Sequence, residues 1–229
     1  MSLNAYTASR VVPLLKGARV LCLGYPDLDM TAEEAGEVFG KKPTKFFKRE
    51  AAHSFRQGAL PETSEMFLAH CKTFDCVDMG CYTGIERVAD LNYPQKLGEY
   101  DLVLDLGTLE HCFNVGQGMI NAASSVAHGG RILHINPISM VNHGFYNLNP
   151  TLYWDFYTQN GWKMEWLEIH DRKDGQERRG DAMQAHDHRM MVKPEAGIWA
   201  LAKRQGNVAL RYPVQEKYRK LSFESRRAA

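Results

Sequence analysis

The amino-acid sequence predicts an α/β fold: a seven-stranded, mostly parallel sheet with helices on both faces and a C-terminal antiparallel hairpin. Three observations lead to this prediction. Short apolar runs alternate with helical stretches, as is typical of a buried parallel sheet. Polar residues collect where the apolar runs stop, which is where ligands bind in open α/β sheets. No helical pattern separates the last two strands, so we expect them to pair antiparallel.

Size and charge indicate one ordinary globular domain. The chain has 229 residues and a net charge of +1, and we expect a single domain at 1–203, with an insertion at 41–73 and a basic extension at 204–229. The balanced charge argues against nucleic acid as a partner. No apolar run approaches the roughly 20 residues of a membrane helix, and no secretory signal is apparent, so we expect a cytoplasmic protein without a membrane partner. The sequence leaves oligomer formation open.

The first half of the chain supplies three predicted strands and one well-marked helix. The strands are Ala18–Leu23, Phe74–Met79 and Ile85–Leu91. Thr31 and Glu34 form a capping-box pattern that predicts a helix at Ala32–Phe39, and Gly40 ends it. Between that helix and the second strand we expect one further helical stretch, around Glu62–His70.

The second half supplies four strands and two helices. The strands run through Leu102–Leu104, Arg131–Ile135, Lys163–Ile169 and Gly197–Ala202. A helical pattern covers Gln117–Val126, and Asn149 followed by Pro150 predicts the start of an aromatic helix that ends near Gly161. The highly charged stretch Asp171–Lys193 is expected to be a loop.

The segment that follows the fourth strand is the most informative. Asp105, Gly107, Glu110 and His111 come in quick succession where that apolar run stops. Together with acidic residues at the ends of the second and third strands, this segment resembles class I S-adenosylmethionine (SAM)-dependent methyltransferases, over about residues 18–203. The resemblance implies a Rossmann-like sheet, SAM as the cofactor, and methyl transfer to a small-molecule acceptor such as a sugar or another hydroxyl-bearing metabolite.

The resemblance also assigns cofactor contacts. A carboxylate at Asp78 would accept hydrogen bonds from both ribose hydroxyls, and one at Asp90 would accept from the adenine amino group. The first motif departs from the family, because Cys22 replaces an acid and Tyr25-Pro26-Asp27 stands where more glycines are usual. The complete set of expected cofactor residues is Gly24, Tyr25, Asp78, Asp90, Leu91, Asp105 and Gly107.

Candidate catalytic residues are Glu110, His111 and His143. Histidine is the side chain whose ordinary pKa lies nearest neutrality, which suits a base that takes a proton from an acceptor hydroxyl. His143 lies in the loop after the fifth strand, which should face the acceptor, so we expect it to be the base. His111, next to Glu110, is the second candidate and could serve positioning instead. The same loop region holds further polar residues that could orient an acceptor: Asn136, Asn142, Tyr146 and Asn147.

We expect no metal site from the sequence. Cys71, Cys76 and Cys81 are spaced too widely for the close ligand pairs of zinc sites. His186-Asp187-His188 lies in the charged stretch, where no rigid element is predicted to fix a geometry.

Two other functions stay open at this level. The departure from the glycine-rich first motif is compatible with a catalytically silent, methyltransferase-like subunit. A nicotinamide-dependent oxidoreductase is less well supported, because the GxGxxG fingerprint is missing after the first strand.

Overall fold

A computed structural model describes residues 2–47, 59–173, 176–182 and 191–219. The strands are β1 (Ser2–Leu3), β2 (Arg19–Leu23), β3 (Asp27–Leu28), β4 (Phe46–Phe47), β5 (Leu60–Pro61), β6 (Thr73–Asp78), β7 (Glu86–Val88), β8 (Tyr100–Asp105), β9 (Val126–Pro137), β10 (Lys163–Lys173), β11 (Gln176–Ala182) and β12 (Gly197–Lys203). The α-helices are α1 (Ala5–Leu15), α2 (Ala32–Phe39), α3 (Thr63–Leu68), α4 (Val115–Ser124) and α5 (Pro150–Gln159), and one 3₁₀ turn covers Leu109–His111.

The main sheet has the strand order β11-β10-β12-β9-β8-β2-β6-β7. Strands β7, β6, β2, β8 and β9 are parallel to one another, whereas β12 runs antiparallel to both β9 and β10. All seven predicted strands are present, and the last two predicted strands form the expected antiparallel pair. The predicted fold class is therefore confirmed.

An eighth strand replaces part of the expected charged loop. β10 continues to Lys173, and β11 pairs antiparallel with it at the edge of the sheet. The prediction of a loop throughout Asp171–Lys193 is thus wrong for 171–173 and 176–182. Hydrophobic periodicity cannot reveal such a strand, because an edge strand is held by backbone hydrogen bonds and tolerates charged residues. His186-Asp187-His188 lies outside the described residues.

Local sequence signals fix the helix ends. Thr31 and Glu34 form the predicted capping box, and Gly40 takes the left-handed conformation, with φ +64°, at the end of α2. Asn149 caps α5 by accepting from the amide of Thr151. Helix α1 was not predicted from the sequence, because Pro13 interrupts its apolar pattern near the C-terminal end.

Two hydrophobic clusters pack against the sheet. One lies under α4 and α5 and includes Val103, Met119, Phe156 and Ile198. The other lies under α1, α2 and α3 and includes Val11, Phe39, Phe67 and Trp199. Neighbouring residues of one strand alternate between these clusters, as the strand periodicity requires. The sheet is therefore packed against a hydrophobic cluster on each face.

The start of the basic extension runs back along α5. Asn160 exchanges hydrogen bonds with the backbone of Arg211 (3.0 and 2.9 Å), and Gln159 does the same with the backbone of Val214 (2.7 and 3.1 Å). None of the described helices is long and apolar enough to cross a membrane.

Candidate functional site

The parallel strands bring their carboxyl ends to one edge of the sheet. β2 ends at Leu23 beside Val77 of β6 on one side and Asp105 of β8 on the other, and Asp105 pairs in turn with His134 of β9. Asp78 is the last residue of β6, and Glu110 lies in the 3₁₀ turn that follows β8. The sequence-predicted residues therefore share the edge at which open α/β sheets bind ligands.

The turn at Gly24 contacts the ends of three strands, β2, β6 and β8. Gly24 has φ +75°, and its amide donates to the carbonyl of Val77 (2.7 Å). The hydroxyl of Thr108 donates to the carbonyl of Leu23 (2.5 Å), and a Cβ on residue 24 would lie 2.5 Å from that hydroxyl oxygen. Glycine is thus required here by both conformation and space.

Asp78 lies next to this turn with both carboxylate oxygens directed at backbone amides. Oδ2 accepts from the amide of Tyr25 (3.0 Å) and Oδ1 from that of Met79 (2.7 Å). A carboxylate has about four acceptor positions, so each oxygen retains one. The side chain of Tyr25 points elsewhere: its ring is buried under the sheet, its hydroxyl accepts from the amide of Ser64 (3.2 Å), and burial raises its pKa to about 12. Only the backbone of Tyr25 reaches the strand edge.

Asp90 and Leu91 follow β7. Oδ1 of Asp90 accepts from the amide and the side chain of Asn92 (2.9 and 2.8 Å), so Oδ2 is left for another donor. Leu91 is buried in the cluster under α4 and α5. Asp78 and Asp90 thus present acceptors at the ends of neighbouring strands.

Asp105 is enclosed by the protein. Its Oδ1 accepts from the amides of Thr108 (3.0 Å) and Leu109 (3.2 Å), and its Oδ2 lies 2.7 Å from Nδ1 of His134. Nε2 of His134 lies 2.6 Å from the hydroxyl of Tyr157, so the imidazole donates to Asp105 and accepts from the tyrosine. All three side chains are fully buried, and burial together with Asp105 raises the pKa of Tyr157 well above its usual value. We call Asp105, His134 and Tyr157 the closed chain.

Gly107, which follows, has φ +91° and lets the backbone turn away from β8. The next residues form the 3₁₀ turn and place Glu110 beneath the edge.

Glu110 begins a second series of hydrogen-bonded side chains, which resembles the first. Its Oε2 accepts from the side-chain amide of Asn136 (2.9 Å), and Oδ1 of Asn136 accepts from the hydroxyl of Tyr153 (2.5 Å). Glu110 is 0% exposed, yet its Oε1 accepts no hydrogen bond. We call Glu110, Asn136 and Tyr153 the open chain.

Two histidines face this unpartnered oxygen. Nε2 of His143 lies 3.3 Å from Oε1 of Glu110, and Nε2 of His111 lies 3.8 Å from it. The side chains of His143 and His111 are 35% and 51% exposed, and their ring centroids are 5.2 Å apart. The three candidate catalytic residues of the sequence therefore meet around one buried carboxylate oxygen, and the two histidines beside it are partly exposed to solvent.

The loop that carries His143 is fastened to the same turn. The amides of Phe145 (2.9 Å) and Tyr146 (3.3 Å) both donate to the carbonyl of Glu110. A Cβ on Gly144 would lie 2.8 Å from that carbonyl oxygen, so only glycine permits this approach. Asn142 has φ +62°, an uncommon conformation for a residue with a side chain. The backbone thereby holds His143 over Glu110.

Sequence reasoning missed the residues that support these carboxylates. His134 and Asn136 alternate on β9 and so face the same side of the sheet, while Tyr153 and Tyr157 are one helical turn apart on α5. Polar residues at a period of two within an apolar strand, opposite a pair of tyrosines at i and i+4, were the available signal. Asn136 was expected to contact the acceptor, but it is buried between Glu110 and Tyr153.

A groove of about 630 Å³ lies at the opposite end of the strands, lined in part by Ala18, Asp101, His128 and Arg131. It contains none of the candidate residues. Among the described cysteines, all five are free, and burial raises the pKa of Cys112, next to His111, to about 12.

Comparison of the fold with solved structures finds methyltransferases. The N-methyltransferase NodS from Bradyrhizobium japonicum WM9, in complex with S-adenosyl-L-homocysteine, is 10% identical with a TM-score of 0.43, over 87% of this chain and 85% of that one. An S-adenosylmethionine-dependent methyltransferase from Mesorhizobium loti is 12% identical with a TM-score of 0.40, over 87% and 98%. An O-methyltransferase family protein from Burkholderia thailandensis is 12% identical with a TM-score of 0.37, over 89% and 55%.

No family model and no curated protein matches the sequence. The seven predicted strands and the reversed hairpin are present in the main sheet, and this is the strand pattern on which the resemblance of the sequence to class I methyltransferases rests.

Proposed function

We propose that this protein is a SAM-dependent methyltransferase that acts on a small molecule with a hydroxyl group, such as a sugar. The observation that carries the proposal is the pair Asp78 and Asp90. These carboxylates follow neighbouring parallel strands at the ligand-binding edge, and each keeps acceptor capacity after its contacts within the protein. A ribose with two hydroxyls and an adenine amino group would supply the missing donors.

The proposed cofactor site follows from these positions. Asp78 holds the ribose hydroxyls, Oδ2 of Asp90 accepts from adenine, and the Gly24 turn passes beside the methionine part. SAM already carries a good leaving group, so the protein has to align the acceptor oxygen, the methyl carbon and the sulfur. Both oxygens of Asp105 already accept hydrogen bonds within the protein. We therefore assign Asp105 a structural role at this edge of the sheet.

The proposed acceptor site is the cluster of Glu110, His111 and His143. His143 takes the proton from the acceptor hydroxyl as the general base. Glu110 lies 3.3 Å from its Nε2 and orients the ring. The hydroxyl oxygen takes the methyl group from the sulfonium of SAM, and S-adenosylhomocysteine leaves.

The deciding experiment measures the binding of S-adenosylhomocysteine. We expect it to raise the melting temperature, since a ligand specific to the folded state stabilises that state by mass action. NADH and NAD⁺ should produce no shift. Absence of a shift at millimolar S-adenosylhomocysteine would favour a silent subunit, and a shift with the nicotinamide cofactors alone would favour an oxidoreductase.

Asp78→Ala should weaken S-adenosylhomocysteine binding by about 10- to 100-fold, because hydrogen bonds to a charged partner contribute roughly 1.5–3 kcal/mol. The matched control is Asp75→Ala, which removes an exposed carboxylate earlier on the same strand. Calorimetric titration of both variants checks the prediction. Equal losses in the two variants would remove Asp78 from the cofactor site.

A further inference from the structure

The cluster around Glu110 brings three different ligand-type atoms together. One carboxylate oxygen of Glu110 and one ring nitrogen each of His111 and His143 lie within 4.8 Å of one another. Within the part of the chain that the structure describes, no other three His, Cys, Asp or Glu side chains approach each other in this way.

A second, independent observation points to a bound cation. Oε1 of Glu110 is buried and aimed between the histidines, and it accepts no hydrogen bond. Its partner oxygen Oε2 is held by Asn136, so the carboxylate cannot turn away. A buried carboxylate oxygen that accepts no hydrogen bond is costly, and buried carboxylates are normally paired or coordinate a metal.

We propose that Glu110, His111 and His143 bind a divalent transition-metal ion, and that Zn²⁺ is the ion best suited to this donor set. Two imidazoles and a carboxylate are the ligands of known catalytic zinc sites, which keep one coordination position open. Ligand atoms on a tetrahedral Zn²⁺ lie about 3.4 Å apart. The distances from Glu110 to His143 (3.3 Å) and to His111 (3.8 Å) are close to that separation.

The donor set also discriminates between ions. Mg²⁺ prefers oxygen ligands in a strict octahedron, so a site with two ring nitrogens should bind it weakly. The surroundings of Glu110 suit a metal ligand, because the amide of Asn136 and the hydroxyl of Tyr153 fix the orientation of the carboxylate.

The catalytic consequence rests on the proposed function, although ion binding itself does not. An acceptor hydroxyl that occupies the open position loses its proton to water, because the ion lowers the pKa of the hydroxyl. The deprotonated acceptor oxygen then takes the methyl group from SAM, and S-adenosylhomocysteine is the leaving group. Nε2 of His143 is then a ligand, so the ion takes over the role that His143 has as base in the metal-free protein.

The test titrates the full-length, metal-stripped protein with Zn²⁺ alone, by calorimetry and by metal analysis after dialysis. We expect one equivalent of Zn²⁺ to bind, with Mg²⁺ far weaker. His111→Ala and His143→Ala should each lower the Zn²⁺ affinity more than the roughly 10- to 100-fold that supporting residues contribute. Both side chains are partly exposed, so these variants should fold.

Two controls separate this site from other histidines. His128→Ala removes an exposed histidine at the opposite end of the sheet. His186→Ala/His188→Ala removes the only closely spaced histidine pair in the sequence. Both should bind Zn²⁺ as the wild type does. The proposal is overturned if the wild type binds no Zn²⁺, if His111→Ala and His143→Ala retain full affinity, or if only the His186/His188 variant loses it.

Failure of the metal proposal and failure of the methyltransferase proposal give different experimental results. S-adenosylhomocysteine binding at Asp78 and Asp90 reports on the methyltransferase proposal, whereas Zn²⁺ binding reports on the cluster. Cofactor binding without Zn²⁺ binding leaves His143 as the base. Zn²⁺ binding without cofactor binding leaves a metal site in a protein with another activity.

Discussion

The closed chain and the open chain are built from similar parts, yet they end differently. Each starts from a carboxylate at the end of β8 or in the turn that follows it, passes through a side chain of β9, and ends at a tyrosine hydroxyl of α5. In the closed chain, both oxygens of Asp105 have protein partners. In the open chain, Oε1 of Glu110 accepts no hydrogen bond and faces two partly exposed histidines.

The difference teaches how to tell a supporting carboxylate from a functional one. Burial alone does not separate them, since Asp105 and Glu110 are both 0% exposed. What separates them is whether every acceptor has a donor within the protein. A satisfied carboxylate stabilises the fold, whereas an unsatisfied one costs free energy unless a ligand completes it.

The largest expected effect is on stability, from Asp105→Ala. Removing the carboxylate leaves His134 and two backbone amides without their partner in the core. Breaking a buried pair of this kind costs about 3–5 kcal/mol of unfolding free energy. Urea denaturation measures it.

His143→Ala is the matched comparison for that experiment, because its side chain is partly exposed and should change the unfolding free energy by only about 0.5 kcal/mol or less. If the two variants were equally destabilised, the division into a closed and an open chain would fail.

For the turnover rate we expect the opposite order: a substitution beside the open chain should have the larger effect. Under the proposed function, His143→Ala should lower the rate by about 100-fold or more, the usual scale for loss of a general base. The affinity for S-adenosylhomocysteine should stay nearly unchanged, since Asp78 and Asp90 are intact. Steady-state kinetics together with calorimetry checks both parts. Wild-type turnover in this variant would remove His143 from the mechanism and leave His111 as the remaining histidine candidate.

The sequence predicted the two chains unequally, for physical reasons. Glu110 and His143 were found because polar residues at strand ends and in the following loops stand out against apolar runs. The closed chain was not found, because its connections run between β8, β9 and α5, and no local pattern reports a contact over that separation. Asp105 therefore looked like another strand-end carboxylate, and only its hydrogen bonds distinguish it from Glu110.

The same limit applies to the fold. Strands of the sheet interior and the capping boxes follow from local composition, as Thr31 and Glu34 illustrate. The edge strand β11 does not, since its pairing with β10 depends on the backbone rather than on a hydrophobic pattern.

The tyrosines offer a more sensitive comparison of the two chains. Tyr157→Phe and Tyr153→Phe each delete one buried hydrogen bond, so each should cost about 1–3 kcal/mol of stability. Only Tyr153→Phe frees Asn136 and thereby loosens Glu110. We expect that variant alone to weaken Zn²⁺ binding, by roughly 10- to 100-fold. Calorimetry with Zn²⁺ on both variants provides the measurement, and identical affinities would show that Tyr153 serves stability only.

A third carboxylate, Glu65, tests whether a carboxylate with satisfied acceptors stabilises the fold. Of the predicted changes in stability, we expect this one to be the smallest. Its oxygens accept from the amides of Thr44 and Lys45 and the Thr44 hydroxyl, and Oε1 lies 3.0 Å from Nζ of Lys41. The Thr44 hydroxyl bond, with the neighbouring donors, lowers the pKa of Glu65 from 4.5 to about 2. A carboxylate with a lowered pKa in the folded state stabilises the protein above its unfolded pKa, and this contribution is lost as the pH falls.

Glu65→Gln should therefore lower the melting temperature slightly at neutral pH, by about 2 °C, because contacts near the surface are screened by solvent. The difference from the wild type should shrink as the pH falls from about 4.5 towards about 2, where Glu65 becomes protonated in the folded protein. Glu37→Gln, at an exposed position on α2, is the control and should show no such trend. Thermal melts at several pH values decide the matter. A constant difference would mean that Glu65 acts through its shape rather than its charge, and that satisfied acceptors alone do not explain how this chain uses its carboxylates.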